Sequence, residues 1–287
     1  MNTLKIGKKK FDLKKQTIIM GILNVTPDSF SDGGLFYSVD KAVKHAIEME
    51  NNGADVIDIG GESTRPGSKS ISLKEETDRV IPVLEQLIGK IKIPISIDTY
   101  KSEIARKTLD LGADMINDIT ALRGDKNLAI TISKYDAPIC LMHMKGKPKN
   151  MQINPVYNDV VKEIHDFLKE RSEYALLCKI KKENIIIDPG IGFGKRTGKD
   201  IEDNCEILRR LSELKSLGYP ILVGASRKTF IGNICGDDKP LVISERLEGS
   251  LAAACITVMN GANIIRTHDV KETKKCIKLV DCIIKNR

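Results

Sequence analysis

At 287 residues with 41% hydrophobic content, the chain can bury a large core, which excludes a disordered polypeptide. Its formal charge of +7 comes from 46 basic and 39 acidic residues that are scattered, and only 4% of residues are aromatic, with no Trp. Neither a basic stripe nor a stacking platform shows, so no nucleic-acid partner is expected, while the mild positive balance suits a small anionic substrate.

The first 16 residues, MNTLKIGKKKFDLKKQ, lack an apolar signal core, and Thr3 to Lys14 can fold as a hairpin. One phrase then repeats: a short Ile- and Val-rich run, a polar or glycine-rich turn, and a segment of helical period. The runs expected as strands are Thr17 to Val25, Val56 to Gly61, Pro94 to Thr99, Met115 to Ile119, Pro138 to His143, Ile185 to Gly190, Ile221 to Ser226 and Ile264 to Asp269. Between them the helical stripe is clearest where Ala42, Val43, Ala46, Ile47 and Met49 share a face and Gly53 supplies a stop. Other helices are expected at about Leu73 to Lys90, Lys101 to Leu111, Lys126 to Tyr135, Val156 to Ile180, Asp200 to Leu217, Ser244 to Asn260 and Val270 to Lys285. Strict alternation of strand and helix implies a parallel sheet. Eight such units suit an α/β (β/α)8 barrel occupying the whole chain, 1–287, as one domain, with a doubly wound open sheet as the rival.

The cysteines Cys140, Cys178, Cys205, Cys235, Cys255, Cys276 and Cys282 are odd in number and form no C-x-x-C pair. No run approaches the roughly 20 apolar residues of a membrane span. Reduced thiols, no membrane partner and a cytoplasmic location are therefore expected.

A barrel of this kind builds its active site at the C-terminal ends of its strands. Those ends carry Asn24, the stretch GESTRPG (Gly61 to Gly67), Asp98, Asn117, Asp188, Lys228, Arg266 and His268. Asp98, Asn117 and Asp188 each follow an apolar stretch, where an unpartnered carboxylate is costly. Together with Lys228 they match the edge of a planar heterocycle bearing amino and ring N–H groups. The competing reading makes each Asp a helix cap. Arg266 and His268 lie two apart, hence on one face of a strand, and with Thr64 and Arg65 they suit an anionic group better than a metal. His143 ends its strand and its role is left open. The stretch DPGIGFGKRT (Asp188 to Thr197) misses both the Walker pattern and G-x-G-x-x-G. Its glycines are expected to let the backbone turn around a flat ligand, with Phe193 packed on it.

Taken together, IMGILNVTPDSFSDGG, GADVIDIGGESTRPG, ISIDTYK, INDI, IIIDPGIGFGK, GASRKTFIG and IRTHDV make the chain resemble the dihydropteroate synthase family over nearly its whole length. The resemblance implies a TIM barrel, usually a homodimer, in which Mg2+ assists the joining of 6-hydroxymethyl-7,8-dihydropterin diphosphate to p-aminobenzoate with loss of diphosphate, the step blocked by sulfonamides. It also implies roles. Asp98, Asn117, Asp188 and Lys228 would hold the pterin, lined by Met142 and Phe193. Asn24, Thr64, Arg266 and His268 would hold the diphosphate, Asn24 through the metal. Phe30, Arg65, Pro66 and Ser226 would border the aminobenzoate. Asn24, Lys228, Arg266 and His268 would take part in the chemistry. A methyltransferase of the same barrel family that moves a methyl group from a folate to a corrinoid, and a non-catalytic pterin-binding relative, are the alternatives.

Overall fold

Side chains alternate across a strand, so a barrel strand sends every second residue inward. A computed structural model of the chain describes residues 2–26, 34–64, 67–198 and 202–285. Strands β1 (Thr3–Ile6) and β2 (Lys9–Asp12) pair antiparallel. Eight further strands form one parallel sheet: β3 (Ile18–Asn24), β4 (Val56–Gly60), β5 (Ile95–Asp98), β6 (Met115–Asp118), β7 (Ile139–Met142), β8 (Ile185–Asp188), β9 (Leu222–Val223) and β10 (Ile264–Thr267). Their order is β8-β7-β6-β5-β4-β3-β10-β9, and a parallel bridge between Ile187 and Ile221 joins the two ends. The strand order never reverses and the edges meet, so the sheet is a closed barrel and the open-sheet rival is excluded.

The lower barrel is apolar. Ile18, Met20, Val56, Met115, Cys140, Ile186, Leu222 and Ile264 form a cluster with Leu4, Ile6, Phe11 and Leu13, so the hairpin closes the N-terminal end of the barrel. Residues of the opposite parity, among them Ile19, Ile57, Ile97, Ile116, Leu141, Ile187 and Ile265, pack outward in a second cluster that includes the helices. Each such side chain taken from water contributes roughly 1.5–3 kcal/mol. Two residues above Val56, Met115, Ile186 and Ile264 on the same inner face stand Asp58, Asn117, Asp188 and Arg266. The barrel therefore changes from apolar to ionic within one step of the strand period.

The helices are α1 (Gly34–Asn51), α2 (Leu73–Leu87), α3 (Ser102–Leu111), α4 (Leu128–Tyr135), α5 (Val160–Leu177), α6 (Asp203–Arg209), α7 (Thr229–Cys235), α8 (Leu247–Met259) and α9 (Val270–Ile284). Three expectations need correction. The helix expected over Asp200 to Leu217 is α6 followed by a 3-10 segment, Leu211–Leu217. The strand expected over Ile221 to Ser226 keeps Leu222 and Val223 in the ladder with β10 and Ile221 in a single bridge to β8, and beyond Gly224, which brings no side chain to the sheet, the chain turns away. The short helix α7 was not anticipated. At seven residues with Gly232 inside, it shows no helical period, and that glycine admits Arg246, whose Nε would lie 2.6 Å from an added Cβ. Among the described residues, no helix is long and apolar enough to cross a membrane, and all seven cysteines are free thiols.

Candidate active site

One row of hydrogen bonds crosses the floor of the cavity at the C-terminal end of the barrel. Asn117 Nδ2 donates to Asp58 Oδ2 at 3.0 Å, Arg266 Nε donates to the same oxygen at 2.6 Å, and Arg266 Nη2 donates to Asp98 Oδ2 at 2.9 Å. The ladder puts these groups side by side, because Asp58 pairs with Ser96 and Asp98 with Asn117 in register. Asp58 is fully buried, and its Oδ1 bonds no described residue. With its nitrogen committed to Asp58, the Asn117 side-chain oxygen is left to accept. Burial pushes the Asp98 carboxyl up, against the pull of the Arg266 guanidinium. Burial alone would lower Arg266, but Asp58 and Asp98 outweigh it and hold the guanidinium charged.

Across the cavity stand Asp188 and Lys228. Asp188 Oδ1 accepts from the Gly190 amide at 2.7 Å, and burial pushes the carboxyl up to about 6. Burial lowers Lys228 to about 8, Arg266 adding to the drop while Asp188 and Asp98 oppose it. The Lys228 ammonium lies 4.2 Å from the centroid of the Phe193 ring, a cation–π contact. Phe193 belongs to an apolar wall with Ile119, Met142, Met144 and Met151, against which Tyr100 packs. A slot walled by thioethers and a ring, with acceptors on its floor and an ammonium at its edge, fits a flat heterocycle rich in N–H groups.

The glycines of the stretch after β8 have a further purpose beyond the expected one. A Cβ on Gly190 would lie 1.8 Å from His143 O and one on Gly194 would lie 2.3 Å from Lys145 O. Both glycines let the loop press on the chain's own backbone after β7. Gly190 and Gly192 also border the slot: a Cβ on the first would come within 3.4 Å of Met142 Cγ, and one on the second would meet Lys228 Cδ at 3.2 Å.

Beside the slot lies a corner of neutral polar side chains. His268 Nδ1 is 3.0 Å from Ser226 Oγ, which also accepts from the His268 amide at 3.2 Å. That oxygen already takes one proton, so its own hydroxyl is assigned to Nδ1, which leaves Nε2–H as the outward donor of a neutral ring. Burial holds His268 neutral by lowering it to about 3, with Arg266 and Arg227 adding to the effect. Asn24 ends β3 partly buried, its Oδ1 lying 3.7 Å from the Cβ that Gly60 lacks, next to Asp98. Thr64, also partly buried, stands on the loop after β4. Lys101 Nζ ties both ends of that loop, bonding Glu62 Oε2 at 2.7 Å and Ile71 O at 2.9 Å.

The helix-cap reading fails for Asp98, Asn117 and Asp188. The residue at the N-cap of α3 is Lys101 and at that of α4 is Asn127, while α6 is capped by Glu202. The structure brings together Asp98, Asn117, Asp188, Lys228, Met142, Phe193 and Arg266, and places Ser226 against His268. Arg266, expected with the anion, shares its guanidinium with the carboxylates of the floor. Phe30, Arg65 and Pro66 lie outside the described residues, as do residues 27–33 of the loop after β3. Sequence reasoning missed Asp58, whose signal was a charge two residues above Val56 on the inner face of β4.

A model of pterin binding enzymes matches residues 20–268. The dihydropteroate synthase of Clostridium beijerinckii is 45% identical over 98% of this chain and 100% of its own length. A dihydropteroate synthase crystallised from Clostridium difficile in the presence of pteroic acid superposes with a TM-score of 0.88 at 49% identity, covering 96% of this chain and 100% of that one. The Xanthomonas albilineans dihydropteroate synthase with 4-aminobenzoic acid gives a TM-score of 0.90 at 40% identity, covering 100% of this chain and 99% of that one.

Proposed function

The chain belongs to the dihydropteroate synthases, within the pterin-binding enzyme family, and from that premise we propose how its cavity divides the work of the reaction. The enzyme joins 6-hydroxymethyl-7,8-dihydropterin diphosphate to p-aminobenzoate, forming 7,8-dihydropteroate and diphosphate. The observation that carries the division is the floor itself, where one guanidinium joins Asp58 to Asp98 and Asp58 in turn holds Asn117, with Asp188 and Lys228 opposite.

The pterin lies in the slot, its amino and ring N–H groups donating to Asp98, Asp188 and the Asn117 oxygen, while Lys228 donates to a ring acceptor. Departure of diphosphate leaves positive charge delocalised from the methylene into the ring, and the three buried carboxylates favour that charge. The negative charge that gathers on the departing oxygens meets His268 Nε2–H, Thr64 and the Arg266 Nη1 group, which bonds no described residue. The aminobenzoate amine then takes the methylene carbon and loses a proton. No side-chain nucleophile is required, and Lys228, next to Phe193, serves as a donor.

Mg2+ fits this corner as a guest of the diphosphate. Asn24 offers one hard side-chain oxygen, and among the described residues no three His, Cys, Asp or Glu side chains gather to hold a metal alone. An ion that retains waters and takes phosphate oxygens suits such a site, and it would offset charge on the leaving group. Chelation of Mg2+ should stop diphosphate release from the two substrates, and re-addition should restore it. Turnover unaffected by a chelator would remove the metal from this reading.

A homodimer is supported by the outer face of α8 and α9. Helix α8 is apolar on nearly all sides and packs on α9, and Ile256 and Met259 on α8 and Leu279 and Ile283 on α9 are exposed. Sedimentation of the wild type and of Leu279→Glu should give a dimer and a monomer respectively, whereas a monomeric wild type would overturn this assignment.

A further inference from the structure

A lysine that no step above uses is sealed inside the wall of the slot. Lys195 has no exposed surface, and its ammonium faces three acceptors: His143 Nδ1 at 3.0 Å, Gly190 O at 2.9 Å and Phe193 O at 2.9 Å. Three donors meet three acceptors, so the group is satisfied without a direct carboxylate partner. While Lys195 is an ammonium it accepts nothing, so in that state the lone pair on His143 Nδ1 faces it and the neutral ring carries its proton on Nε2. Burial and the Lys195 charge hold His143 well below its usual range. Burial also lowers Lys195 to about 7, with Asp188 and Asp203 supporting its charge and Lys228 and Lys145 opposing it.

Two of the acceptors belong to the lysine's own loop and the third to the loop after β7, so one ammonium staples the two. The staple acts at both ends of the pterin slot. Gly190, held through its carbonyl, donates its amide to Asp188, and Phe193, held the same way, lies under Lys228. Tyr157 reinforces the seam through its hydroxyl bond to Gly194 O at 2.5 Å, and the His143 amide donates to Asp188 O at 2.9 Å.

We propose that Lys195 is a positioning residue for the pterin: shared between His143 and two carbonyls of its own loop, it sets the Phe193 ring beneath Lys228 and the Gly190 amide against Asp188. The proposal rests on the assignment of Asp188 and Lys228 to the pterin. Lys195→Met in the full-length enzyme should raise the KM for the pterin diphosphate roughly tenfold, with the KM for p-aminobenzoate and kcat changed less than about twofold.

Where that variant fails to fold, a pair at His143 decides. His143→Asn keeps an acceptor near the place of Nδ1 and should stay within about twofold of the wild-type pterin KM, whereas His143→Leu removes it and should show the roughly tenfold rise. Equal pterin KM values in the Asn and Leu variants, or a folded Lys195→Met enzyme with the wild-type value, would overturn the proposal. Asp188→Ala separates the two layers. If it leaves the pterin KM unchanged, the pterin assignment itself fails; if it raises the KM while Lys195→Met does not, only the role of Lys195 falls.

Discussion

Asp58 Oδ2 stands 2.6 Å from Arg266 Nε, reaching past strand β3 inside the barrel, although 208 positions separate them in the chain. The same oxygen accepts from Asn117, so one buried carboxylate on β4 orients two side chains of the cavity floor. Asp58→Ala leaves a partly buried guanidinium short of one partner and the Asn117 amide without any, and should destabilise the ligand-free protein by about 3–5 kcal/mol. Urea unfolding measures this, and an unchanged midpoint would mean that the ion pair carries no structural weight.

The Asp188 carboxyl, raised by burial to about 6, binds its proton more tightly folded than unfolded. Stability from this group is therefore complete below the ordinary carboxylate range and is lost as pH rises through about 6. Asp188→Asn should stabilise the ligand-free protein at pH 8 by on the order of 1–3 kcal/mol, with a smaller gain at pH 5 and little at pH 4. It should weaken pterin binding meanwhile, since the site holds its charge for the ligand rather than for the fold. Equal stabilisation at pH 8 and pH 4 would contradict the shift.

Gly190 and Gly89 both have left-handed backbones, with φ of +70° and +80°, but only Gly190 is crowded. An alanine at Gly89 meets nothing within 4 Å, so Gly89→Ala should cost only the strain of its φ, about 1 kcal/mol. Gly190→Ala would drive a methyl into His143 O and should cost several kcal/mol while weakening pterin binding. Thermal unfolding of the two variants side by side tests the contrast; similar midpoints would show that the loop yields freely.

Ser226 orients His268, so Ser226→Ala should free the imidazole to change tautomer and weaken inorganic diphosphate roughly threefold to tenfold. The sequence resemblance places Ser226 at the aminobenzoate instead. A raised KM for p-aminobenzoate with diphosphate binding unchanged would favour that placement over the one through His268.

The barrel was legible because each strand is a compact run of Ile and Val closed by turn residues, and a parallel strand buried on both faces reads that way. Asp98, Asn117 and Asp188 were legible because each interrupts such a run at its end. Asp58 was not. It sits inside VIDIGG, and its partner arrives from the last strand, a contact that no local pattern carries. The same limit explains Arg266, whose position on a strand face was readable while its sharing between two carboxylates was not. Helix α7 escaped because seven residues complete too few turns to show a period, and the close approach of Gly190 and Gly194 was not readable because the backbone they press on belongs to the loop after β7.

The most direct test of the central claim is a calorimetric titration of the pterin substrate into the wild-type enzyme and into Asp188→Ala. The account predicts a well-defined site in the wild type and, in the variant, affinity lower by roughly fivefold to more than a hundredfold, because buried pterin donors lose an acceptor at about 1–3 kcal/mol. Circular dichroism should show the same fold in both. A folded Asp188→Ala protein that binds the pterin as tightly as the wild type would contradict the account and move the pterin away from this slot.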